Sequence, residues 1–588
     1  MRRLAFLAMS LRTLAAFFVF AGLLISRSVA LDATWRSELY PEQGWNPEAA
    51  RFDRDKVVQD FSYAGYRRGE VPIPRIAGPV YAVTSAPYLA DPSGERDATA
   101  AIQAAINAAG RAGGGVVFLP AGTYRVSVAS DANEALLIER PGVILRGAGT
   151  ERTFLLNTTT VLRTPDRPSP SRTVIRVRGP FEAKLSAPAR TKTPVTTDLV
   201  SPTRVIPVAD TKPFQLNQIV VVRAALTDEW FRETGEPRWM GQASALGTYL
   251  AFRRTVVAVD PAASTVTVDV PLRYALLRRD GAHVALLPAD PVAEIGLEDF
   301  SIGSIEHPGT EWGNRDFMQP GMPAYDIHAS SLIQIERARD SWVRGVHSFQ
   351  APGNRSTAHM PSNGLVLRES SHLTIEDCRF ERPQYGGAGG NGYMFTIERS
   401  QECLFLRNEA RFSRHGFSFK GMGCSGNVLH ACVDAETGYA TGASGRMDTR
   451  GRTSDFHMWF SISNLVDSCL ADGSRYEAAY RAGENPPHGI VTAHTVFWNI
   501  SGTDRITKVT PAESHVVIRS DQGRYGYVIG TSGSRSLVDT TQGVPGPDGP
   551  GGPVDHVEGE GKGQTLLPAS LFIDQRRRRL GPSAPALP

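Results

Sequence analysis

From Asp97 to Val126 the chain reads DATAAIQAAINAAGRAGGGVVFLPAGTYRV, with apolar side chains at Ile102, Ala105, Ile106 and Ala109. That spacing keeps them on one face of a helix. Gly113 to Gly115 end the helix, Val116-Val117-Phe118-Leu119 starts a strand, and Pro120-Ala121-Gly122 turns the chain into another. Further along the apolar period shortens to alternation. The runs IGLEDFSI from 295, SWVRGVHS from 341, LTIEDCRF from 373, CLFLRNEA from 403, NVLHACVD from 427, NLVDSCLA from 464 and TVFWNISG from 495 start 46, 32, 30, 24, 37 and 31 residues apart. A recurrent strand at variable spacing marks a solenoid, because each coil stacks on the last while its loops lengthen freely.

A second column supports this reading. NGLVL begins at Asn363, NGYMF at Asn391, HGFSF at His415 and HGIVT at His488, with SDFHMWF from Ser454 in the coil between the last two. Glycines stacked at a tight bend are expected there. The helix and its glycine-rich step resemble the opening of the pectate-lyase-like superfamily, of the pectate lyase 3 type. The resemblance implies an all-β fold: a right-handed parallel β-helix whose N-terminal helix caps the solenoid.

The remaining pattern divides the chain. Residues 1–30 read as an export signal, with Arg2 and Arg3, an apolar run and Ser28-Val29-Ala30 as a small-x-small cleavage site. The apolar run is too short for a stable membrane anchor, so a secreted or periplasmic protein is expected. An N-terminal arm (31–96), the capping helix and first coils (97–185), a β-rich insertion (186–290) and the main β-helix (291–542) follow. Residues 543–562 read as a flexible linker, and 563–588 as a C-terminal helix and tail whose arginine run forms a solvated face.

Composition changes this picture little. The 63 basic and 60 acidic residues nearly cancel, so nothing calls for nucleic acid. Cys378, Cys432 and Cys469 share the sixth place of their aligned strands and would stack. Coils about 4.8 Å apart would let Cys432 and Cys469 pair, although a ladder of buried reduced thiols is favoured.

The chemistry concentrates near RFSRHGFSFK, residues 411–420. One short connection, 411–414, lies among longer ones and would form the floor of a cleft. Arg414, His415 and Lys420 are expected on or beside that floor. Asp455 and His457 complete the candidate catalytic set, and Arg411, Tyr393, Asp448, Arg450, Arg475 and His488 the candidate substrate-binding set. Basic groups outnumber acids here, which suits an acidic polysaccharide. The favoured activity is a lyase: cations neutralise a uronate carboxylate, and a base, Lys420 or His415, removes the adjacent C5 proton before β-elimination. The tripeptide RHG is similar to a motif of β-helix alginate and chondroitin lyases, whose arginine takes part in catalysis. The alternatives are a glycoside hydrolase using paired carboxylates such as Asp448, Asp455 or Glu484, and a carbohydrate-binding or adhesin solenoid. No dinucleotide or phosphate-binding motif is present, and calcium is the one candidate cofactor.

Overall fold

The computed structural model describes residues 33–163, 171–438, 453–483, 487–503, 515–541, 543–546, 549–550, 554–582, 585 and 587. The candidate export signal, the 439–452 connection with Asp448 and Arg450, and Glu484 lie outside the described residues. Gly296, Trp342, Thr374, Leu404, Val428, Leu465 and Val496 stand one above another in a parallel ladder. Each coil visits three sheets, as in Ser371–Glu376, Arg379–Glu381 and Tyr393–Glu398. The fold is a right-handed parallel β-helix.

Inward residues of all three sheets form one continuous core. Like side chains stack at the coil pitch. Phe395 lies 4.8 Å from Phe417 at 6° between ring planes, and Phe419 lies 4.5 Å from Phe456 at 15°. The five cysteines are buried and free.

In the second column Gly364 and Gly416 both fall in the row of Met394 rather than of Gly392, so the expected glycine stack is not formed there. The bend from first to second sheet is a separate feature of each coil. It is made by Asp377, Arg407, Ala431, Ser468 and Asn499, at φ of 53°, 53°, 53°, 54° and 52°. Each is held by its neighbouring coil, Asp377 N–H, for example, donating to the Leu406 carbonyl. Neighbour pairing therefore enforces a left-handed conformation that single residues avoid.

The third sheet carries the strands β1 (Asn363–Arg368), β2 (Tyr393–Glu398), β3 (His415–Lys420), β4 (Ser454–Met458) and β5 (Tyr476–Ala478). Two details depart from the sequence column. Tyr393, not Asn391, stands opposite His415. β5, not the segment at His488, follows β4, because Tyr476 and Ala478 bury in the core while His488 leaves the sheet. Two connections from second to third sheet are consequently short, 412–414 and 473–475.

The helix α1 (Thr99–Arg111) covers the open end of the solenoid with Ile102, Ala105, Ile106 and Ala109 buried. Its Gln103 both donates to the Leu137 carbonyl and accepts from the Leu137 N–H, closing an exposed strand edge. Coils already begin inside the arm, where Val80–Ala82 pairs with Val116–Phe118. Thr191 to Leu286 supply a separate six-stranded antiparallel sheet with its own core. The segment expected to be a linker ends in a strand, His556–Glu558, because its backbone pairs with Tyr527–Ile529. The arginine run is solvated only in part, Arg577 and Arg578 being exposed and Arg576 and Arg579 turned inward. In α2 (Leu571–Leu580) Arg576 donates to the Gly69 carbonyl at 2.7 Å, and Arg579 reaches the Arg68 and Ser62 carbonyls and Glu70.

Candidate active site

β1 to β4 turn alternate side chains outward, and this outer face is the floor of a cleft of about 610 Å³. Tyr393, Thr396, Glu398, Lys420, His457 and Trp459 line it from the sheet, with Arg414 at one side and Arg481 and His488 at the other. The cleft thus runs over the third sheet rather than along a single short connection.

Local structure explains the clustering. Phe419 stands opposite Phe456 but Lys420 opposite Met458, so β4 carries an extra residue, His457, at a bulge. A bulge re-aims the side chain it adds. Gly392, at φ 77°, brings its backbone so near that an added Cβ would lie 3.0 Å from the Arg414 Cβ. Its carbonyl accepts from the Arg414 and His415 N–H groups at 2.9 and 3.1 Å, which seats the short connection beside Tyr393.

The resulting network is continuous. Asp455, buried, accepts from Ser418 Oγ at 2.9 Å and from Arg481 Nη2 at 2.7 Å, and its Oδ2 lies 2.7 Å from His457 Nδ1. Burial first, then Arg481, pushes His457 well below the usual histidine range, so the ring is neutral. We assign its proton to Nδ1, donating to Asp455, which leaves Nε2 as acceptor for the Tyr393 hydroxyl 3.2 Å away. Arg414 Nη1 lies 3.5 Å from that same hydroxyl, and Lys420 Nζ sits 4.2 Å from the centre of the tyrosine ring. Burial lowers Lys420 to about 8, opposed by Glu398.

His415 lies beneath this layer, its Nδ1 2.8 Å from the Thr453 carbonyl and its ring 4.7 Å from that of Tyr393. It does not line the cleft. Arg411 turns to Glu409 on the second sheet, and Arg475 donates to Glu477 at 3.2 Å, so neither reaches the cleft. The trough is also less cationic than a residue count implies. Arg368 is paired with Glu398, and Arg481 with Asp455 and Glu477. Lys420 and Arg414 make no ion pair among the described residues. Sequence reasoning missed Arg368, Glu398 and Gln334 as lining residues. Trp459, half-buried against the core of the inserted sheet, lines the cleft as well.

Among the described residues, one group could hold a metal: ligand atoms of His415, Asp455 and His457 lie within 4.8 Å of one another. Two imidazoles and one carboxylate do not match the oxygen-rich shell of calcium. The Arg481 guanidinium, 2.7 Å from Asp455 Oδ2 and 3.2 Å from His457 Nδ1, already places a positive charge there. No helix among the described residues is long and apolar enough to cross a membrane.

Residues 86–165 match a family model described as rhamnogalacturonase A/epimerase, pectate lyase-like. A 62-residue stretch is 52% identical to the mannuronan C5-epimerase AlgE4 of Azotobacter vinelandii, covering 10% of this chain and 11% of that protein. A stretch of the same length is 50% identical to alginate lyase 7 of the same organism, covering 10% and 7%. The matched stretch is therefore about a tenth or less of these relatives' length. Among solved structures, the tailspike protein gp49 of Pseudomonas phage LKA1 shares 13% identity over 77% of this chain and 64% of its own, with a TM-score of 0.47.

Proposed function

We propose that this chain, a pectate-lyase-like parallel β-helix, acts on an acidic polysaccharide by withdrawing the C5 proton of a uronate residue at Tyr393. The observation that carries the reading is the Tyr393 hydroxyl, 3.2 Å from a neutral imidazole nitrogen and 3.5 Å from a guanidinium. Proton acceptor and charge neutraliser thus meet at one point.

Arg414 and Lys420 bind the uronate carboxylate, and their charge stabilises the anion that forms as C5 loses its proton. Tyr393 passes its hydroxyl proton to His457 Nε2 and takes the C5 proton. The C5–H electron pair moves into a C4–C5 double bond, the C4–O bond breaks, and the departing oxygen takes the proton from His457. Asp455 keeps His457 in the required tautomer. Arg481 holds Asp455. Lys420 acts as carboxylate partner rather than base, and His415 packs behind Tyr393 as a positioning residue.

The carboxylates within reach support this over hydrolysis. Asp455, Glu398 and Glu477 are each bound to arginine, whereas a hydrolase needs one acid free to donate a proton. One relative's name, alginate lyase, agrees with elimination, and another's, mannuronan C5-epimerase, supports a second outcome of the same first step, in which the anion regains a proton on its opposite face. An export signal at 1–30 would deliver the chain to such polymers.

A panel of uronate polymers separates these outcomes. An ultraviolet-absorbing unsaturated end marks elimination. Solvent deuterium at C5 without chain shortening marks epimerisation. New reducing ends with neither overturn the proposal in favour of hydrolysis, and retention without reaction marks a binding module.

A further inference from the structure

None of the residues lining the cleft comes from the inserted sheet. One of its edges nevertheless grips the wall that carries Arg481 and His488. We propose that Glu236, Arg238 and Trp239 of the insertion are positioning residues for the reaction centre, acting through Arg481.

Four hydrogen bonds and one close approach converge on that wall. Trp239, fully buried, donates its Nε1–H to the Pro487 carbonyl at 2.9 Å. Glu236, also fully buried, accepts from the Ile490 N–H at 2.9 Å and from Arg238 Nη2 at 2.9 Å. Arg238 Nη1 donates to the Ala482 carbonyl at 2.9 Å, and its Nη2 meets the Tyr480 hydroxyl. Gly489, at φ 66°, passes so close to the indole that an added Cβ would lie 2.5 Å from Trp239 Cζ2. The insertion therefore fixes positions 480, 482, 487, 489 and 490, on both arms of a hairpin.

Arg481 is the residue those arms bracket. Its N–H donates to the Gly489 carbonyl at 3.1 Å, and the Gly489 N–H returns the bond at 2.8 Å. The same hairpin is tied to β4, since the Trp459 N–H donates to the His488 carbonyl at 3.1 Å. From this platform the Arg481 guanidinium reaches Asp455, which orients the proton acceptor His457, and stands against His457 itself. A long arginine side chain is fixed this well only when its backbone is fixed. A buried carboxylate is also a costly way to hold a surface hairpin unless its geometry matters.

The proposal rests on the reading of the cleft as a reaction centre, and its test has one arm that does not. Trp239→Phe keeps an aromatic ring but removes the N–H and the fused second ring that meets Gly489, whereas Glu236→Gln keeps the acceptor for Ile490 and removes the charge. Hydrogen exchange on the full chain should show faster exchange confined to 480–490 in Trp239→Phe, with Leu429 and Val466 in the solenoid unchanged. Unchanged exchange at 480–490 would overturn the clamp whatever the chain's activity. On a uronate polymer, Trp239→Phe should lower kcat about tenfold or more with little change in KM, and Glu236→Gln should retain most of the rate. In the double variant Trp239→Phe/Arg481→Gln the loss should equal that of Arg481→Gln alone. Independent, additive losses, or full activity with a loosened hairpin, would mean that the insertion does not act through Arg481. A wild-type chain inert on every uronate polymer refutes the proposed reaction but leaves the exchange result to decide the clamp.

Discussion

Tyr393 and Lys420 carry the residue-scale argument. Removing the Tyr393 hydroxyl leaves the ring packed against His415 and deletes only the group proposed to exchange a proton with His457. Tyr393→Phe should keep its fold by circular dichroism and lose roughly a hundredfold or more in the initial rate of uronate turnover, the scale of general acid–base catalysis. Lys420 is charged below about 8 and neutral above it, because burial disfavours the ammonium. As a carboxylate partner it must be charged, so kcat/KM should fall as pH rises through about 8. Lys420→Arg, whose guanidinium stays charged, should lose that alkaline limb even if its rate is lower. A rate that climbs through the same range would instead make Lys420 the base.

Elements in this fold are stabilised by ladders between coils more than by contacts within one coil. Asn427 shows how. Its amide donates to the Ser400 carbonyl at 2.8 Å and to Asn464 Oδ1 at 2.9 Å, and its own Oδ1 accepts from the Cys403 N–H at 3.0 Å. Asn427→Ala leaves the buried Cys403 N–H without its acceptor, while the Ser400 carbonyl and Asn464 Oδ1 each keep a backbone N–H, and should cost about 2 kcal/mol, read as a lower urea midpoint. The strands and their register were legible before the structure, because inward apolar positions of successive coils must meet and Leu429, Val466 and Phe497 have no other way to align. The third-sheet column was legible only in part. NGYMF and HGFSF share a glycine pattern, yet the row is set by inward Phe395 and Phe417, which stack face to face and shift Tyr393 into line with His415.

At the scale of the whole molecule, the N-terminal arm and α2 form a strap along the first sheet. Val57 N–H donates to the Tyr527 hydroxyl, Tyr66 N–H to Thr374 Oγ1, and Arg67 pairs with Glu294, so one arm touches coils far apart in sequence. Arg579 fastens α2 to that arm through Ser62, Arg68 and Glu70. Arg579→Ala should therefore increase proteolytic cutting near residues 62–70 while activity at the distant cleft is unchanged. A solenoid needs such covers because its stability is a sum over neighbouring coils, and its ends and flanks are the places where that sum falls short.

Periodicity determined the N-terminal helix, the coils and the register of the first sheet, since burial of apolar side chains at fixed spacing is a local demand that repeats along the chain. The meeting of Tyr393, Arg414, Lys420, Asp455, His457 and Arg481 was settled only in three dimensions. These residues come from three strands, a connection and a hairpin held by the insertion, and the distances among them depend on a bulge at His457 and a close approach at Gly392. Neither leaves a period in the sequence. Arg411 and Arg475, equally basic and equally near in the chain, turn instead to Glu409 and Glu477, because each has a carboxylate two residues away on its own strand or beside it.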